Sequence, residues 1–260
     1  MMLIVGELIN TSRSQVKSAV EEKDAEFIKK LAHDQIANGA HYIDVNCGTM
    51  IHNEEETMRW LVETVQEAVE APLCIDSPNP KALAVRLSLC RFGQPMVNSI
   101  TAEEERFSAV LPLVLEYKCK VVALCMDDTG MPETAEDRFA IVDKLIANLT
   151  KAGVAPSDIY IDPLVKPLST NDRAALEVLE TVEYIRQNHP DVHIICGMSN
   201  ISYGLPQRKL LNQAFFVQLM TVGMDSTLWK YILPRHIILN HQAPPGPVWQ
   251  SPGGERQQPP

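Results

Sequence analysis

Several absences narrow the reading of this chain before any motif is considered. None of the six cysteines (Cys47, Cys74, Cys90, Cys119, Cys125, Cys196) is paired with another at C-x-x-C spacing. A zinc ribbon and a thioredoxin-like redox motif are therefore not expected, and buried thiols are. Basic residues are outnumbered, 23 Lys and Arg against 33 Asp and Glu for a net charge of −10, and no basic stripe compensates. Such a field disfavours nucleic acid as a partner. Apolar runs fall short of the roughly 18 residues that span a bilayer. The start, "MMLIVGELIN", has no basic region ahead of its apolar residues. A soluble, cytoplasmic protein with no membrane partner is expected. Aromatic residues make up only 6% of the chain, few for the stacking platforms of a sugar-cleaving enzyme.

What the sequence does contain is alternation. Short apolar runs at 3–9, 41–46, 72–77, 95–100, 120–126, 159–165, 193–200 and 225–229 read as strands buried on both faces. Between them lie stretches with an apolar stripe at helical spacing, such as "EETMRWLVETVQEAVE" and "DRFAIVDKLIANLTKAG". Gly39 and Gly153 stand where helices end, and Pro80 suits a first helical turn. The order predicts an α/β fold, a (β/α)8 TIM barrel over residues 1–230. An open doubly wound sheet would carry a Gly-rich loop after its first strand, and "GELINTSRSQ" is not one. Residues 231–260 are Pro-rich and aperiodic where the last barrel helix belongs. An atypical tail, disordered from about residue 242, is expected there.

In such a barrel the catalytic face is built at the C-terminal ends of the strands. Those ends carry Glu7 and Asn10, Asp44 and Asn46, Asp76, Asn98, Met126 and Asp127, Asp162, then Ser199 and Asn200. One Asp after a strand is usually a cap or turn residue. A ring of carboxylates and carboxamides instead implies a ligand rich in donors, because unpaired buried charge is costly. None of the seven histidines lies at a strand tip, and His41 and His193 open strands at the opposite end. A metal site is therefore not expected. A planar heterocycle with an N–H/NH2 edge fits best, since a carboxylate can accept two parallel bonds from it. No tip residue reads as a general acid with a suitable pKa.

Seven segments, "GELIN", "IDVN", "LCIDS", "MVNS", "YIDPL", "GMSNIS" and "LPQR", occur in an order and spacing that resembles the methyltetrahydrofolate:corrinoid protein methyltransferases. That family lies in the pterin-binding superfamily that includes dihydropteroate synthase. The resemblance covers roughly residues 2–228. It implies that Asp76, Asn98 and Asp162 hold the pyrimidine edge of a pterin, and that Asn200 sits beside N5 as the catalytic hydrogen-bonding group. It further implies that Gly197 and Ser199 shape the ring pocket and that Arg208 lies near the aminobenzoyl-glutamate tail. Glu7, Asn10, Asn46, Met126 and Tyr203 complete the expected substrate pocket. Leu8 and Tyr203 stand where the family often has other residues. The implied reaction moves a methyl group between N5 of tetrahydrofolate and the cobalt of cobalamin. The chain has no D-x-H-x-x-G pattern of its own, so the corrinoid would ride on a partner protein. A homodimer is compatible with the resemblance. Dihydropteroate synthase, or a folate-binding protein with impaired catalysis, remain alternatives. The direction of transfer is open.

Overall fold

The computed structural model describes residues 2–50 and 54–229. Eight parallel strands close into a barrel in sequence order, each neighbour hydrogen-bonded to the next and the last returning to the first. They are β1 (Leu3–Asn10), β2 (Tyr42–Asn46), β3 (Leu73–Asp76), β4 (Met96–Thr101), β5 (Lys120–Leu124), β6 (Ile159–Asp162), β7 (His193–Gly197) and β8 (Ser226–Trp229). Two helices, α1 (Ser14–Glu21) and α2 (Ala25–Ala37), follow β1. One helix follows each later strand up to β7: α3 (Glu54–Ala68), α4 (Pro80–Leu87), α5 (Glu104–Glu116), α6 (Ala135–Lys151), α7 (Ala174–Asn188) and α8 (Arg208–Thr221). The expected barrel is present. The expected tail, and the loss of the last helix, lie outside the described residues.

Local signals set the element ends. Pro80 occupies the first turn of α4, where its missing N–H costs nothing. Thr134 and Asp137 form a reciprocal capping box at the start of α6. Gly39 and Gly153 take positive φ (97° and 101°) just beyond α2 and α6, a conformation that favours glycine. β6 stops at Asp162 rather than running on to 165, because Pro163 follows and Leu164 turns to a φ of 60°.

The core has two shells. A large one fills the space between sheet and helices. A smaller one plugs the barrel axis with Val5, Tyr42, Cys74, Met96, Val122, Tyr160 and Ile195. Side chains alternate along a strand, so residues two positions further on face the same interior one layer higher. Those residues are Glu7, Asp44, Asp76, Asn98, Leu124, Asp162 and Gly197. The plug thus closes the barrel beneath a polar layer at its mouth.

β1 reaches this layer through an irregularity. Its register against β2 shifts between Gly6 and Ile9. Leu8 N–H leaves the ladder and donates to Gln35 Oε1 of α2 at 2.9 Å. Gly6 has no Cβ to block that amide; one built there would lie 2.5 Å from Gln35 Oε1.

Candidate active site

Four consecutive strands present their polar ends in one row: Asn10 is registered with Asn46, Asn46 with Asp76, and Asp76 with Asn98. Across the mouth Asp162 closes β6, and Gly197 closes β7. The sequence-predicted ring is therefore assembled, but its members differ in what they can offer a ligand.

Asn46 spends its carboxamide within the protein. Its Nδ2 donates to Asp76 Oδ2 at 2.7 Å, and its Oδ1 accepts from Gly48 N–H at 2.9 Å. It orients Asp76 more than it faces the mouth. Asn10, also buried, accepts from Ser12 N–H at 2.9 Å in a local Asx turn. Both were expected as pocket residues; the structure gives their amides architectural partners. The partly buried Asp76 and Asn98 sit side by side.

Asp162 is 7% exposed, and Leu164 N–H donates to its Oδ1 at 2.9 Å. Burial raises its pKa to about 6, opposed by the Leu164 and Gly197 N–H groups and reinforced by the charge of Glu7. It is mainly ionised at neutral pH, at a cost that a ligand N–H edge would offset. The left-handed φ of Leu164 is the local strain that aims its N–H at this carboxylate.

Asp44 is the residue whose character the sequence did not disclose. It is fully buried one layer below Asn46, and neither oxygen has a hydrogen-bond partner of good geometry. Burial pushes its pKa well up, the neighbouring charges of Asp76 and Glu7 push it further, and the facing Cys74 and Asn98 side chains only partly oppose this. Burial and these neighbouring charges therefore favour the neutral form of the carboxyl. The sequence alone offers no general acid near the mouth; Asp44 is a carboxyl there whose burial sets it apart from an exposed aspartate.

The stretch "GMSNIS" leaves β7 as an ordered turn. Tyr203 N–H donates to Asn200 O at 3.0 Å, and Leu168 N–H, from the loop after β6, donates to Ile201 O at 3.0 Å. Ser169 Oγ donates to Tyr203 O at 2.7 Å. Asn200 itself is exposed at the mouth, with its carbonyl held by the Tyr203 N–H. Arg208 does not simply extend toward solvent. Its Nη2 donates to Ser199 O at 2.7 Å and its Nε to Ser202 Oγ at 3.1 Å, with the guanidinium 5.9 Å from the Tyr203 ring centroid. Tyr203 is 66% exposed at the rim. Met126, half-buried, lies past the end of β5 and donates its N–H to Leu124 O at 2.7 Å.

Among the described residues, no group of three or more His, Cys, Asp and Glu could hold a metal ion. No described helix is long and apolar enough to cross a membrane. The arrangement is suited to bind a flat, donor-edged ring between Asp76, Asn98 and Asp162, with Asn200 exposed at the same barrel end.

Comparison with known proteins agrees with this geometry. The family model described as "Pterin binding enzyme" matches residues 6–228. The chain is 42% identical over 229 residues to the methylcorrinoid:tetrahydrofolate methyltransferase of Eubacterium limosum, covering 87% of this chain and 84% of that one. It is 30% identical over 240 residues to methionine synthase of Mycobacterium tuberculosis, but spans only 20% of that longer protein. Among solved structures, dihydropteroate synthase of Xanthomonas albilineans matches with a TM-score of 0.67 at 16% identity, over 91% of this chain and 89% of that one. The enzyme of the same name from Thermus thermophilus matches with a TM-score of 0.65 at 18% identity, over 91% of each chain. At such identities these structures speak to the fold alone. Together with the family match, which takes in every strand-tip residue from Glu7 to Asn200, the comparisons identify the chain as a member of the pterin binding enzyme family.

Proposed function

We propose that this protein is a methyltransferase that moves a methyl group between N5 of tetrahydrofolate and the cobalt of a corrinoid carried by a separate protein. The observation that carries the reading is the pairing of a donor-edge pocket with an uncharged Asn200 at the same barrel mouth, in a chain 42% identical to a methylcorrinoid:tetrahydrofolate methyltransferase. The order of donor and acceptor in that relative's name supports transfer toward tetrahydrofolate. The protein works in the cytoplasm in this reading, and its partner is a corrinoid protein.

The chain's residues divide the work. Asp76, Asn98 and Asp162 accept from and donate to the pyrimidine edge, and each charge-assisted bond contributes about 1.5–3 kcal/mol. Asn46 fixes the rotamer of Asp76. Gly197 and Ser199 keep the β7 end slim beside the ring. Asn200 supplies the group whose hydrogen bond strengthens as charge changes at N5, the kind of contact that raises rate rather than affinity alone. Asp44, a fully buried carboxyl biased toward its neutral form by burial and by the charges of Asp76 and Glu7, lines the same interior as the ring-binding residues. Tyr203 and the Asn200 turn, exposed at the rim, would face the partner's corrinoid, whose cobalt would be the methyl donor or acceptor.

The test is anaerobic incubation of the protein with tetrahydrofolate and methylcob(III)alamin, with 5-methyltetrahydrofolate followed by chromatography. Product formation is expected. Tight folate binding with no transfer in either direction, including with methylated corrinoid proteins, would reduce the protein to a folate binder. Diphosphate release from a pterin diphosphate and 4-aminobenzoate would replace the reading with dihydropteroate synthesis.

A further inference from the structure

The ligand residues at the mouth sit at the ends of different strands, and something must hold those ends to a common geometry. Arg106, in the first turn of α5, reaches back over two of them. Its Nε and Nη2 donate to Ser99 O at 3.0 and 2.7 Å, directly after Asn98. Its Nη2 also donates to Ser77 O at 2.9 Å and its Nη1 to Pro78 O at 2.6 Å, directly after Asp76. One rigid guanidinium therefore grips the backbone behind both ligands. The same arrangement recurs around the mouth. Arg138, in the first turn of α6, donates from Nε to Pro163 O at 2.9 Å behind Asp162, and pairs with Glu177 of α7 at 3.2 Å. Arg208, at the start of α8, holds Ser199 O beside Asn200.

From this geometry we infer that Arg106 is a positioning residue for the folate reaction, locking Asp76 and Asn98 into one recognition unit through the carbonyls of Ser77, Pro78 and Ser99. The inference rests on the proposed pterin site. Arginine suits the role because its planar fork presents several donors at fixed angles, which the single ammonium of lysine cannot. Its charge also lies close enough to Asp76 for the two to stabilise one another. The clamped loops are otherwise short and polar, so water can take over the released carbonyls. Loss of the fork should thus loosen the ligand geometry more than it unfolds the barrel.

A matched control exists at the opposite end of the barrel. Arg186 of α7 makes the same kind of grip there, donating from Nε to Gly223 O at 2.6 Å and from Nη1 to Val192 O at 2.9 Å. The experiment measures affinity for 5-methyltetrahydrofolate and for 6-hydroxymethylpterin by calorimetry, and melting temperature, in Arg106→Met, Arg106→Lys, Arg186→Met and Asp76→Asn full-length chains. Arg106→Met should weaken both ligands by the same tenfold or more, because the ring pocket and not the tail is affected. Arg106→Lys should recover part of that loss, and Arg186→Met should lower the melting temperature without changing either affinity. The inference is overturned if Asp76→Asn binds poorly while Arg106→Met binds within twofold of the unmodified chain. It is equally overturned if Arg186→Met weakens both ligands as much as Arg106→Met does. If Asp76→Asn itself binds normally, the pterin-site reading fails instead.

Discussion

At the N-terminal end of the barrel, Asp225 is surrounded by donors: the His193 ring at 2.8 Å, Arg186 at 2.7 Å and Ile194 N–H at 3.0 Å. At the C-terminal end, Asp162 has backbone N–H groups for company and Asp44 has no good partner at all. Burial raises the pKa of all three. At Asp225 the His193 bond and the Arg186 charge outweigh it, and the carboxyl stays below its usual range. At Asp44 and Asp162 burial wins. One end of the same fold completes its own polar network, and the other leaves acceptor capacity that a ligand can fill. The difference separates residues that hold the barrel from residues that use it, a division expected of this architecture.

The sharpest test is the opposite pH dependence of the two ends. A pKa raised from 3.8 to about 6 means that folded Asp162 binds more protons than the unfolded chain between those values. Its contribution to stability is present below about pH 4 and lost as pH rises through 6, in total about 3 kcal/mol. Asp162→Asn should therefore raise the melting temperature of the ligand-free protein at pH 7 relative to pH 4.5, while weakening methyltetrahydrofolate binding by about 2–3 kcal/mol. Calorimetric melts at the two pH values, alongside a binding titration, check both halves. Equal stability changes at the two pH values would mean that Asp162 is not carrying this burden.

Asn200→Ala should slow single-turnover methyl transfer about 10²-fold, near 2.7 kcal/mol, with a smaller effect on binding. A mutant with normal rate at saturation removes Asn200 from the chemistry. At the other end, Asp225→Asn should cost about 2 kcal/mol of stability and leave folate affinity unchanged. Because the Asp225 pKa is depressed, its contribution is present above the unfolded value and disappears as pH falls through the folded one. The mutant and the unmodified chain should thus converge in acid, as chemical denaturation in acid and at pH 7 would reveal. The smallest effect is expected of Asp44→Asn. Burial favours the neutral form of this carboxyl, so an amide in its place should shift stability at pH 7 by no more than about 1 kcal/mol. A large gain in stability would show that Asp44 is ionised.

The barrel was legible because its strands are buried on both faces and read as continuous apolar runs, several of them closed by a polar residue. Asp76, Asn98 and Asp162 could be placed at the mouth for the same reason. Position alone does not tell where an amide is engaged, so the bonds of Asn46 to Asp76 and Gly48, and of Asn10 to Ser12, were not legible. The Asn46-Cys47-Gly48 step carried a usable turn signal in its glycine. The upward push on the Asp44 pKa could not be read, since it depends on burial and on Asp76 and Glu7 arriving from other strands. The grip of Arg106 was invisible for a related reason: its partners are main-chain carbonyls, which every residue possesses, up to 29 positions away.

Gln35 has a consequence for anyone who would move this site elsewhere. The level at which Glu7 and Asn10 enter the mouth depends on a register slip in β1, and that slip is held by an amide from α2 passing over Gly6. A glycine in the sheet and a glutamine in the outer shell therefore form one structural unit. Relatives in which one has changed should show compensation in the other. A graft of the strand tips alone onto another barrel would arrive with its first strand out of step.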